Sequence, residues 1–94
     1  MITRVEFTLD NQTQITYQLI NIQDIRSLFP DYEEQFTIHT DIDDYERKLH
    51  KQNYASYDHF HLRPWFDKHP ILKPGDKLSI EIVRPMKEYH LKIV

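Results

Sequence analysis

The sequence predicts a mainly β domain with two short helices, and three observations carry that expectation. Apolar and polar residues alternate along several stretches, as in Val5, Phe7, Leu9 and again in Leu78, Ile80, Ile82, the period of a strand with one buried face. The only glycine, Gly75, follows Pro74 directly before the longest alternating run. Pro-Gly suits a type II turn, because proline presets φ and glycine supplies φ > 0. Finally, 94 residues with 39% hydrophobic and 13% aromatic side chains are enough for one domain with one modest core, unlike a disordered tail.

Taken in order, the first strand runs from Val5 to about Asp10, and Asp10-Asn11-Gln12 is turn chemistry. Ile15, Tyr17 and Leu19 alternate into an expected second strand. Asn21 is placed to cap a helix whose face carries Ile22, Ile25 and Leu28 or Phe29, with Asp24 three residues after the cap. Pro30 ends that helix and an acidic loop follows to Gln35. Phe36, Ile38 and Thr40 mark a third strand. Residues 41–58 carry two periods: Ile42, Tyr45 and Leu49 fall at helical spacing, while Tyr45, Arg47, Leu49 and Lys51 alternate. Tyr54 to Leu62 reads as a strand leading to a short helix, Arg63 to His69, with Pro64 in its first turn and Pro70 stopping it. The Pro-Gly turn, a strand, a loop over 84–88 and a last strand with Tyr89, Leu91 and Ile93 complete the chain.

No apolar run approaches the length of a membrane span, and no signal-peptide pattern is present. The absence of cysteine excludes disulfides and thiolate sites and is compatible with a reducing cytoplasm, the expected location. The net charge of −3 is unevenly spread. Residues 1–46 set ten acids against two arginines, a net of −8, and residues 47–94 set ten bases against five acids, a net of +5. Such polarity leaves room for a basic face, although from charge alone ordinary solvated surface is the better explanation.

Trp65-Phe66, then Leu72-Lys73-Pro74-Gly75-Asp76 and an alternating strand, with Leu28-Phe29-Pro30 upstream, resembles the DNA-binding pseudobarrel. That family comprises the plant B-three transcription-factor domains and the B-three-like recognition domains of bacterial restriction endonucleases. The long basic lead-in of the plant pattern is missing, which favours the shorter bacterial variant. The resemblance implies an open, seven-stranded barrel closed by two short helices. It also implies strands over 41–58 that meet at a projecting hairpin, and a position as one domain cut from a longer protein.

The resemblance further implies two DNA-contacting arms. One carries over to Asn11, Gln12, Thr13 and Gln14. The other falls on Arg47, Lys48, His50, Lys51, Gln52, Asn53 and Tyr54. The residue types of this second stretch suit the role, since lysine and arginine neutralise phosphates and Gln or Asn pairs with an adenine edge. A hydrophilic hairpin tip is the ordinary alternative. Pro30-Asp31 with Glu46-Arg47-Lys48 loosely matches the carboxylate and lysine pattern of magnesium nucleases, but the flanking helices such enzymes need have no room here. His59-x-His61 places two imidazoles on one strand face without a converging third ligand. The expectation is therefore binding of double-stranded DNA in the major groove, with no catalysis, cofactor or metal, in a protein that also carries a nuclease or regulatory domain. A protein-interaction domain on the same barrel is the rival, and a small magnesium nuclease the third reading.

Overall fold

A computed structural model describes residues 3–9, 12–52 and 55–94, with the side chains of Gln12 and Thr13 also outside the description. Nine strands are present among the described residues: β1 (Arg4–Thr8), β2 (Leu19–Asn21), β3 (Phe36–His39), β4 (Asp44–Arg47), β5 (Lys51–Gln52), β6 (Ala55–Ser56), β7 (His59–His61), β8 (Lys77–Arg84) and β9 (Glu88–Ile93). Two short α-helices, α1 (Gln12–Tyr17) and α2 (Arg63–Asp67), and a 3-10 helix over Gln23–Leu28 complete the order. The fold is mainly β, as expected. The described residues hold more strands than the seven anticipated, and these fall into three sheets that do not close into a barrel.

The largest sheet has five strands in the order β1-β8-β9-β3-β4. Its centre is the β8–β9 hairpin, closed by a turn in which the Lys87 N–H donates to the Arg84 carbonyl at 3.0 Å; the Pro-Gly turn leads into β8. Gly75 has φ +99°, and the Asp76 N–H donates to the Lys73 carbonyl at 3.1 Å, the bond of a type II turn. The Gly75 N–H also donates to the Leu9 carbonyl, so the turn docks against the end of β1. β3 pairs parallel with β9 and antiparallel with β4. A separate ribbon pairs β2 with β7, matching Ile20 to Phe60. The small hairpin β5–β6 links the edge strand β4 to this ribbon.

One core fills the space between sheet and ribbon. Phe36, Ile38, Leu78, Ile80, Tyr89 and Leu91 come from the sheet, Ile20 and Phe60 from the ribbon, and Trp65 and Phe66 from α2. The Phe36 and Phe60 rings meet edge to face at 5.4 Å, and Phe29 stacks on Tyr89 at 4.3 Å, geometries aromatic pairs prefer. Burial pushes the Tyr89 phenol up to about 12.

The expected second strand is corrected. Residues 12–17 form α1, and strand structure begins only at Leu19. Tyr17, which alternation would bury, is 56% exposed. Gln14 is buried instead and Ile15 packs against the core. Gln18 ends the helix with φ 54°. Its carbonyl accepts from the Leu62 N–H at 2.8 Å and its side-chain amide donates to Asp67 at 2.6 Å. Tertiary contacts with the α2 region thus hold a conformation that costs a non-glycine residue free energy.

The expected capped helix after Asn21 is a 3-10 segment with a kink at Ile25. Asn21 lies in β2 and is not the N-cap, which is Ile22 without a side-chain cap bond; the Asn21 Oδ1 accepts from the Gln23 N–H at 2.9 Å. The segment stops at Phe29, which is extended ahead of Pro30. The strand from 54 to 62 divides into β6 and β7 with Tyr57 and Asp58 between them.

Candidate nucleic-acid interface

The second arm of the sequence reading is built on β4, β5 and β6. Strand structure, not helix, occupies this stretch, and Lys51 pairs with Ser56 and Gln52 with Ala55. Asn53 and Tyr54, expected at the tip, lie outside the described residues. Leu49 is fully buried and anchors the root of the hairpin in the core. The root is also pinned from the acidic loop. The Glu33 N–H donates to the Leu49 carbonyl at 2.7 Å, and Glu33 Oε1 accepts from the Lys51 N–H at 3.2 Å and lies 3.3 Å from His50 Nδ1. The Lys51 N–H, followed by His50, holds the Glu33 carboxyl below its ordinary value. Glu33 reaches this position with φ 68°.

Lys48, His50, Lys51 and Gln52 are exposed. The Lys51 ammonium lies 5.9 Å from the centre of the Tyr32 ring, whose hydroxyl donates to Asp58 at 2.6 Å. Arg26 pairs with the same carboxylate at 3.4 Å. Arg47 differs from its neighbours. Its Nε donates to the His61 carbonyl and one guanidinium N–H to the Glu46 carbonyl, both at 2.7 Å. It therefore ties edge strand β4 to ribbon strand β7, and its first role is to position the two walls of a groove.

That groove encloses roughly 710 Å³. Arg47, Lys48, His50 and Gln52 line one part of it, with Glu46 and Gln35, and Tyr57, His59, Phe60 and His61 line the other. The rings of Tyr57, His59 and His61 follow one another edge to face, with centres 5.8 and 5.6 Å apart. Burial, then the neighbouring His59, Arg63 and Arg47, keeps the His61 imidazole below its ordinary value. Tyr57, His59 and His61 were missing from the expected contact set. Their signal was the period-two spacing of 57, 59 and 61, but a zinc site was sought in it. Among the described residues no three His, Asp or Glu side chains converge to hold a metal.

The first arm does not take the expected form. Asn11 lies outside the described residues, and Gln12 and Thr13 sit in the first turn of α1. Gln14 is buried at 3% exposure, and its Oε1 accepts from the Asn21 N–H at 3.1 Å. A side chain so placed is held within the fold, joining α1 to β2.

No protein-family model matches the chain, and no curated protein matches it. Among solved structures, the N-terminal domain of Helicobacter pylori LlaJI.R1 is similar in fold. The likeness covers 99% of this chain and 88% of that one, with a TM-score of 0.65 and 15% sequence identity. At that identity the two share a fold, and the side chains of the groove must be read on their own chemistry.

Proposed function

We propose that this chain is a double-stranded DNA-binding domain that engages DNA through the β5–β6 hairpin and the groove beside it. The observation carrying this reading is the convergence of Lys48, His50 and Gln52 with Tyr57, His59 and His61 around one groove, beside a hairpin rooted by the buried Leu49 and by Glu33. Flexible cations supply sequence-independent phosphate affinity, and an exposed carboxamide on a two-stranded ribbon is suited to a base edge in the major groove. The fold likeness to a domain of the restriction-related LlaJI.R1 is compatible with it. So is the sequence resemblance to B-three-like recognition domains.

On this reading the open two-layer arrangement of sheet and ribbon is a pseudobarrel, and the chain works in the cytoplasm without catalysis of its own. A nuclease or regulatory domain in the same protein acts on the DNA it binds. No helix among the described residues is long and apolar enough to cross a membrane. The test is fluorescence anisotropy with a randomised duplex pool across a salt series. Affinity that falls linearly in log–log form with salt supports the reading. Failure to bind any duplex at low salt ends it and promotes a protein-interaction role.

A further inference from the structure

The second wall of the groove was absent from the arms the sequence pointed to. It carries Tyr57, His59 and His61 at alternate positions, with their rings in edge-to-face contact. Cations surround the two imidazoles. Arg47 is bonded to the His61 carbonyl at the groove floor, Lys48 lines the facing wall, and Arg63 opens α2 two residues after His61. The acids nearby are few. Glu46 lines the groove, Glu33 is engaged by His50 and the Lys51 N–H, and Asp58 is taken by Tyr32 and Arg26. A proton on His61 adds a further positive charge beside Arg47 and Arg63, which disfavours it. An entering anion reverses the sign of that cost.

We infer that His59 and His61 form a subsite for a backbone phosphodiester of the bound nucleic acid, and that the His61 imidazole takes up a proton as the phosphate arrives. The inference rests on the DNA-binding reading and adds to it a second contact wall and a pH linkage. His61 is held below its ordinary value by burial and by His59, Arg63 and Arg47, so it is neutral in the free protein near neutral pH. A phosphate within hydrogen-bonding reach favours the charged form with both ring nitrogens as donors. DNA affinity then rises as pH falls, by up to about tenfold per pH unit for each proton taken up.

Duplex binding measured by anisotropy from about pH 8 to about pH 5.5, at constant ionic strength, tests this on the whole chain. The wild type is expected to bind more tightly toward acid. The double variant His59→Gln, His61→Gln is expected to lose most of that dependence, while His90→Gln, on β9 outside the groove, keeps it. Proton NMR titration of the wild-type imidazoles with and without duplex gives a readout that needs no variant: the His61 pKa is expected to rise on binding. If duplex binds but leaves the His61 imidazole unmoved, or if the double variant keeps the full pH profile, the subsite is overturned and the DNA reading stands. Absence of duplex binding at every pH at low salt removes both.

Discussion

Two side chains show how much of this small domain depends on single positions. Gly75 holds φ +99°, and a Cβ built there meets nothing within 4 Å. A substitution at this site therefore carries a backbone cost and no steric clash. Gly75→Ala is expected to destabilise by about 1–2 kcal/mol, read as a lowered urea midpoint at constant m. Trp65 is fully buried and its indole N–H donates to Asp41 Oδ1 at 2.9 Å. That bond, followed by His69, holds the Asp41 carboxyl below its ordinary value. Trp65→Ala leaves a cavity and an unpaired loop, with an expected cost of about 3–5 kcal/mol, most of the stability of a domain this size. Trp65→Phe keeps most of the packing and loses only the tie to the 40–43 loop, so it is expected to cost markedly less in the same urea experiment.

Between strands, the pairing of β3 with both β4 and β9 creates a titrating clamp. His39 Nδ1 lies 2.8 Å from Asp44 and Nε2 lies 3.1 Å from Glu88, so an imidazolium donates to a carboxylate on each side. Asp44, then Glu88, raises His39 above its ordinary 6.5, and His39, then Arg84, lowers Glu88 below its ordinary 4.5. The raised histidine contributes stability below about pH 6.5, and that contribution is lost as pH rises through the folded value. The lowered carboxylate contributes above about pH 4.5 and is lost as pH falls through its folded value. The clamp is therefore strongest between these limits. His39→Gln is expected to remove the alkaline decline, measured as urea midpoints across pH.

The hairpin supports a second prediction at this scale. Lys48→Ala and Lys51→Ala are each expected to lower the slope of log K against log salt by about one, as loss of one phosphate contact requires. Gln52→Ala is expected to cost roughly 1–3 kcal/mol on a preferred site and little on random duplex. Arg47→Ala acts differently because Arg47 joins β4 to β7; its loss is expected to weaken binding to all sequences together.

For the whole molecule, the two oppositely charged halves of the sequence are joined by ion pairs. Glu33 of the first half pairs with His50 and Asp41 with His69 of the second, and Glu88 of the second half reaches back to His39. Lys48 lines the groove together with Glu46, and Lys51 is exposed beside Tyr32. The reading without catalysis predicts that magnesium leaves duplex DNA intact in the presence of this chain, checked by gel electrophoresis. Magnesium-dependent nicking abolished in Asp31→Ala would overturn it.

By itself the sequence determined the elements whose cause is local. The Pro74-Gly75 turn, the β8–β9 hairpin, the stop at Pro30 and the buried Trp65-Phe66 pair all follow from turn chemistry, fixed proline φ and short-range alternation. The polar composition around Lys51 and Gln52 was legible as well, but its conformation was not: residues 41–58 carry both a helical and an alternating period, and the strand expectation there came from the family resemblance. Tertiary structure alone decided the rest. Residues 12–17 are helical because Gln14 and Ile15 are turned inward and Gln18 is held in a left-handed conformation by the neighbourhood of α2, contacts some fifty residues away in sequence. The same holds for the groove. Arg47 meets the His61 carbonyl, and Glu33 meets His50 and Lys51, only after the sheet edge and the β2–β7 ribbon have packed on one core. Periodicity reports which face of an element is apolar, but it carries no information about which distant element will cover that face.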